Sequence, residues 1–190
     1  MRRDVTLRPE TADDLPLLRA LYASTRAEEM AAVPWDAAQK DAFLCMQLEL
    51  QTQHYHRAYP DGSFQIVLVE GRPAGRLYVH RGETEIHIID VSLLPEYRRR
   101  GIGTALLREL LDEAAASGRR VSLYVDRHNA ASSLYERLGF RPVADDGVYL
   151  RLEWMGATVS AELTISDAPC AAHVASVRKT LNRVPGTAGA

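Results

Sequence analysis

The sequence predicts a three-layer α/β domain built around a mixed sheet. Strand and helix periodicities alternate only in the middle of the chain, while the flanking stretches read as hairpins or as consecutive helices. The dense apolar run Glu85 to Leu94 and the shorter run Val121 to Val125 have the character of interior strands. A helix-length segment separates them, which argues for a mixed sheet with at least one parallel connection. With 190 residues, 46% of them apolar and 25% charged, the chain holds one packed domain of about 150 residues plus an appendage, too little for two enzymatic domains.

Val5 to Pro9 alternates as a short strand, and Thr11 to Asp14 supplies a helix cap. Leu15 to Met30 follows, with Leu15, Leu18, Leu21 and Tyr22 recurring on one face. Pro34 interrupts. Asp36 to Tyr59 reads as a second helix whose apolar stripe is Phe43, Met46, Leu50 and Tyr55, ended by Pro60-Asp61-Gly62. The period then changes to two. Phe64 to Val69 and Ala74 to His80 form a hairpin across Glu70-Gly71-Arg72-Pro73, and Arg81-Gly82-Glu83 turns the chain into Glu85 to Leu94, stopped by Pro95. A helix from Gly103 to Ala116 gathers Leu106, Leu107, Leu110 and Leu111 on one side and ends at Gly118. After the strand Val121 to Val125, Asn129 caps a helix from Ala130 to Leu138 that stops at Gly139. Phe140 to Ala144 and Val148 to Trp154 close a hairpin across Asp145-Asp146-Gly147. The domain therefore spans residues 1–155. Residues 156–190 shift to small side chains without a chemical motif, and read as a docked helix from Pro169 to Arg183 or as a flexible extension.

Composition narrows the functional classes. Balanced charge, 23 basic against 25 acidic residues, gives no general drive toward nucleic acid or an anionic membrane. Cys45 and Cys170 stand far apart in no metal-ligand spacing, so neither a disulfide framework nor a zinc site is expected. The start MRRDVTLRPE lacks an apolar signal region and no apolar run approaches roughly 18 residues; a cytoplasmic location is the expectation.

The most informative segment is Asp90 to Leu111. A buried strand breaks at Pro95, three arginines follow, and Gly101-Ile102-Gly103 opens a helix with Thr104 in its first turn. Glycines there permit positive φ and close backbone approach, so several amides can converge on one anion at a positive helix end. Arg98, Arg99 and Arg100 add guanidinium groups at the rim. A dinucleotide fold is disfavoured because Leu106 occupies the place of a third glycine, and no G-K-S or G-K-T follows to make a Walker loop.

This segment resembles the coenzyme motif Q/R-x-x-G-x-G/A of the GNAT N-acetyltransferase superfamily, matched by Arg98-Arg99-Arg100-Gly101-Ile102-Gly103. Asn129, with Ser132 nearby, and Ser133 to Phe140 look like that family's second cofactor segment, and the order of elements from Val5 to Trp154 looks like its fold. The resemblance implies a mixed, mostly antiparallel sheet splayed at one parallel pair. It also implies acetyl-CoA as cosubstrate and direct acetylation of an amine, with no metal and no covalent acyl-enzyme. By the same resemblance, amides from Arg99 to Thr104 hold the pyrophosphate. The backbone of Val91 and Leu93 holds the pantetheine arm, with an amide near Leu93 facing the oxyanion, while Asn129, Ser132 and Tyr135 complete the cofactor contacts.

Amine acylation needs a neutral nucleophile, oxyanion stabilisation and a proton for the departing thiolate. Tyr135 is the candidate acid, its family counterpart facing the sulfur; a purely packed aromatic is the other reading. His87, 11 residues before Arg98, where some family members carry a glutamate, is the preferred base or water-organising residue. Asp90 and Glu85 compete with it. Strand parity puts His87 and Glu85 on one face and Asp90 on the other unless a bulge changes the phase. The acceptor pocket is expected from the first two helices and the last hairpin, where Glu28, Glu29, Tyr55, His56 and Tyr149 are available. The acceptor is a small-molecule amine or a protein amine, the assembly a monomer or homodimer. A longer acyl-CoA and a non-catalytic CoA sensor are the competing readings.

Overall fold

The computed structural model describes residues 4–127, 129 and 131–156; the expected helix Pro169 to Arg183 and Cys170 lie outside the described residues. In chain order the elements are β1 (Val5–Pro9), a 3-10 turn (Ala12–Asp14), α1 (Leu15–Thr25), α2 (Ala27–Ala31), α3 (Ala37–Ala58), β2 (Ser63–Val69), β3 (Arg72–Arg81) and β4 (Glu85–Leu93). A second 3-10 turn (Pro95–Tyr97) leads to α4 (Ile102–Ser117), β5 (Arg120–Asp126), α5 (Ser132–Arg137), β6 (Arg141–Asp145) and β7 (Tyr149–Trp154). The sheet runs β1-β2-β3-β4-β5-β7-β6, antiparallel throughout except for β4 and β5.

Alternation along the strands sorts side chains into two cores. Val67, Leu77, Val79, Ile86, Ile88, Val121 and Leu123 meet the α4 leucines and Tyr135 on one face. Ile66 meets Leu18, Leu21 and Tyr22 of α1 and Leu48 of α3 on the other. The sheet is thus the middle of three layers.

Several local expectations are corrected. The first helix breaks at Arg26, whose backbone leaves the helical region (φ −112, ψ 5), so that α2 is a separate short helix. Leu15, at the first position of α1, is 45% exposed. The β2–β3 turn needs only Glu70 and Gly71, both at positive φ as a two-residue primed turn requires. The largest correction concerns α3. Met46 and Leu50 point outward, while Gln47, Leu48, Gln51 and Tyr55 are buried. The reason is polar: Tyr22 donates to Gln47 (2.9 Å), Arg76 donates to Gln51 (2.9 Å) and Tyr55 donates to Asp90 (3.3 Å). These bonds outweigh the burial available to a flexible methionine and a leucine.

At Gly75, paired with Leu93, β3 leaves no room for a side chain against β4. A Cβ there would overlap the Ser92 carbonyl oxygen and come within 2.7 Å of Leu93 Cδ2. Gly75→Ala should therefore destabilise the fold by about 1–3 kcal/mol, the usual cost of overpacking, measured as a lower denaturant midpoint.

Candidate active site

β4 and β5 pair only from Glu85↔Arg120 to Ile88↔Leu123. Beyond that point β4 continues to Leu93 against β3 alone, and β5 to Asp126 against β7 alone. A slot opens between strands whose backbone groups are otherwise made for pairing. The parting coincides with a β-bulge: Tyr78 faces Asp90 and Val79 faces Ile88, which leaves Ile89 as the extra residue. Its effect is to change the phase of β4. Before it, Ile86 and Ile88 enter the α4 core; after it, Val91 and Leu93 do. Asp90 consequently shares the α3 face with Glu85 and His87, the exception that strand parity allowed for.

The slot ends at the loop before α4. Arg98 is extended (φ −69, ψ 158), and Arg99 (φ 56) and Gly101 (φ 81) then adopt left-handed conformations, a local geometry that can turn nearby amides toward one point. No side chain caps α4, so its first N–H groups and the positive end of a 16-residue helix face that point too. The glycines fit a phosphate cradle. A Cβ on Gly101 would meet nothing within 4 Å, and on Gly103 only Leu134 Cδ2 at 3.8 Å. The protein's own packing thus does not call for glycine at 103, although glycine costs about 1 kcal/mol relative to alanine inside a helix. The space it leaves suits close approach of an anion. Arg99 and Arg100 are exposed at the rim, Arg100 lying 5.8 Å over the Tyr97 ring. Arg98 is engaged differently: it donates to the Leu93 carbonyl (2.7 Å) and to Ser24 at the end of α1 (2.6 Å).

Around the parting, the titratable candidates occupy distinct environments. Asp90, with its side chain 10% exposed, accepts two bonds from Arg76 (3.2 and 2.9 Å), one from Ser92 (2.5 Å) and one from Tyr55 (3.3 Å). Tyr135 is buried in α5, its ring edge-on to Phe140 at 5.7 Å. Burial, with the Asp90 carboxylate acting second, pushes its phenol up to about 12, so it keeps its proton at neutral pH. His87 is buried against Tyr59 (stacked, 5.5 Å) and Tyr124 (edge-on, 5.7 Å), with Nδ1 2.8 Å from Ser122 Oγ. Burial pushes its imidazole down to about 4 against the opposing pull of Glu85, leaving it neutral at pH 7. Glu85 is bound by Ser122, Arg120 (2.8 Å) and Arg151 (3.2 Å). Asn129 accepts from the Ala131 amide (2.8 Å) and its carbonyl accepts from the Ser132 hydroxyl (2.8 Å). It braces a helix that begins at Ser132, and the expected start Ala130 lies outside the described residues.

Of the acceptor-pocket candidates, Tyr55 belongs to the Asp90 network and Tyr149 is buried, whereas His56 is exposed on the Phe64 ring (4.1 Å) and Glu29 pairs with Arg26 (2.8 Å). Glu28 is exposed. Sequence reasoning passed over Arg76, Gln51 and Ser122, all buried here. For Arg76 and Ser122 the signal was a polar residue inside an otherwise apolar run, Arg76 between Gly75 and Leu77 and Ser122 between Val121 and Leu123; Gln51 carried none.

Two outcomes follow from this geometry. Gly103→Val should raise the dissociation constant for coenzyme A at least roughly tenfold, about 1.4 kcal/mol, by calorimetry, with the thermal midpoint little changed. Because His87 titrates near 4 when folded and about 6.5 when unfolded, the unfolded state binds the extra proton between those values. Stability should therefore fall as pH drops from 6.5 to 4, and His87→Gln should flatten that part of the wild-type stability–pH curve.

A model of the acetyltransferase (GNAT) family matches residues 23–140. The N-alpha-acetyltransferase RimI of Mycobacterium tuberculosis is 33% identical over 129 residues, covering 59% of this chain and 80% of that protein. The mycothiol acetyltransferase of Clavibacter michiganensis is 43% identical over 86 residues, 43% of this chain, and the match spans only 28% of that protein's length. Among solved structures, the PaiA N-acetyltransferase of Thermoplasma acidophilum in complex with coenzyme A superposes with a TM-score of 0.59 at 20% identity, over 80% of this chain and 99% of that one. The splayed parallel pair, the glycine-opened helix and a family match over more than half of the sequence agree: this chain belongs to the acetyltransferase (GNAT) family, whose cosubstrate is acetyl-CoA.

Proposed function

We propose that the chain carries the acetyl group of acetyl-CoA directly onto a primary amine, with no acyl-enzyme. The observation that supports this most is the parting of β4 from β5 at Ile88 and Leu123, next to the cradle at Arg99–Thr104. A phosphate anchored there would direct the pantetheine arm along the unpaired edge of Val91 and Leu93, bringing the thioester to the bulge. Proximity then supplies much of the acceleration.

In the reaction the amine nitrogen attacks the thioester carbonyl, a backbone amide near Leu93 stabilises the oxyanion, and collapse expels the CoA thiolate. Tyr135, protonated at neutral pH, gives the thiolate its proton; His87, neutral at the same pH, takes one from the nitrogen directly or through water. The other acidic groups are already committed. Asp90 is bound by Arg76, Tyr55 and Ser92, and Glu85 by Ser122, Arg120 and Arg151, which suits positioning better than proton exchange. Ser122 is fully buried and unsuited to act as a nucleophile. RimI of Mycobacterium tuberculosis, matched over 80% of its length, is named for N-alpha acetylation, so a peptide amino terminus is the first acceptor class to test.

Thiol release from acetyl-CoA, measured with free-amino-terminus peptides and a panel of small amines, tests the proposal. Amine-dependent release is expected, and Tyr135→Phe should lower kcat by roughly a hundredfold while coenzyme A affinity holds. Tight coenzyme A binding without release by any amine would favour a sensor.

A further inference from the structure

At the base of the slot, Glu85, Ser122 and His87 form a chain of hydrogen bonds in which the direction of every proton follows from the donor inventory. Glu85 lies beside two guanidinium groups: Arg120 Nε donates to Oε2 at 2.8 Å and Arg151 donates to the same oxygen at 3.2 Å. Burial works to raise this carboxyl, but the Ser122 bond and the two arginines outweigh it and hold it below the usual carboxylate range. An ionised carboxylate only accepts. Ser122 Oγ, in short contact with Glu85 Oε1, must therefore spend its one proton on Glu85. Its remaining contact, to His87 Nδ1 at 2.8 Å, then has only one possible sense: Nδ1 carries the hydrogen and Ser122 accepts it.

A neutral imidazole has one N–H, so the lone pair is left on Nε2. Nε2 has no hydrogen-bond partner among the described residues, and the side chain keeps 11% of its surface exposed. The ring plane is held by Tyr59, stacked at 5.5 Å and 22°. His87 stands one residue before the last paired position of the parallel strands, where the slot begins.

We propose that Ser122 and Glu85 are positioning residues that lock His87 in the Nδ1–H tautomer, presenting Nε2 as the proton acceptor for the attacking amine. The catalytic part of this statement rests on the acetyl-transfer reading above; the tautomer does not. The chain also accounts for a buried serine beside a histidine and a glutamate that is no nucleophile. Its proton points to Glu85, and the imidazole approaches it as a donor, the reverse of an activated serine.

The decisive substitution is Glu85→Gln, which keeps the shape and alters one group. The arginines face Oε2 and demand an acceptor there, so the amide oxygen takes that side and the NH2 turns to Ser122. Ser122 then accepts from the amide and donates to Nδ1, which moves the imidazole hydrogen to Nε2. Two-bond 1H–15N correlation spectra of the full chain labelled with 15N-histidine, at pH 7, read the tautomer directly, with the His87 signals assigned by their loss in His87→Gln. The wild type should show protonated Nδ1 and unprotonated Nε2, and Glu85→Gln the inverse. Ser122→Ala, which removes the acceptor, should also lose the Nδ1–H preference. A wild-type ring protonated at Nε2, or a tautomer indifferent to both substitutions, overturns the assignment. Where an amine of the panel is acetylated, Glu85→Gln should lower kcat by roughly 10–100-fold with KM for acetyl-CoA unmoved; an inverted tautomer with unchanged kcat overturns the positioning role. A protein that shows the predicted tautomer but moves no acetyl group would count against the transferase reading alone.

Discussion

The ion pair between Arg76 and Asp90 is the interaction on which the architecture of the site depends. Both side chains are almost entirely removed from water, 3% and 10% exposed, and a charge so placed is tolerable only when paired and fully hydrogen-bonded. The demand reaches three elements. Arg76 rises from β3, Asp90 from β4 beyond its bulge, and α3 must present Gln51 and Tyr55 to complete the set. The orientation of a 22-residue helix is thus set by the needs of one guanidinium and one carboxylate, and two of its large apolar side chains are left in solvent as a result.

The bulge has a second role besides delivering Asp90 to that pair. By absorbing a residue in β4 it ends the register with β5 and keeps apolar contacts intact on both sides of the discontinuity, Ile86 and Ile88 before it, Val91 and Leu93 after it. A strand can leave its neighbour here without leaving the core. Local irregularity in β4 therefore does what a separate binding loop does elsewhere: it frees backbone groups at a fixed place on a rigid scaffold.

Legibility in the sequence follows the distance between cause and effect. The glycine turn that opens α4 was readable because its parts are contiguous: three arginines, two glycines and a helix start fall within seven residues, Arg98 to Thr104. Strands and α4 were readable because burial on one face leaves its period in the sequence. What escaped was decided by remote partners. Phe43, Met46 and Leu50 make a plausible stripe, and nothing within α3 says that Gln47 and Gln51 will be drawn inward by Tyr22 and Arg76, each 25 residues away. The bulge at Ile89 is equally silent, since Ile88 and Ile89 are alike and either could be the extra residue. Ser122, a hydroxyl within an apolar strand, was passed over, because its meaning required Glu85 and His87 at their places across the parallel pair.

The unpaired stretch of β4 also couples occupancy of the cleft to the stability of the fold. A cleft that exists only while two strands are held apart disappears on unfolding, so a ligand held in it would bind the native chain alone and by mass action deepen the native well. At a free concentration about a hundred times the dissociation constant, that contribution is about 2.7 kcal/mol, a sizeable share of the stability of a single domain. For this family the cosubstrate is acetyl-CoA. Stability and occupancy of the cleft would therefore rise together with the concentration of the acetyl donor.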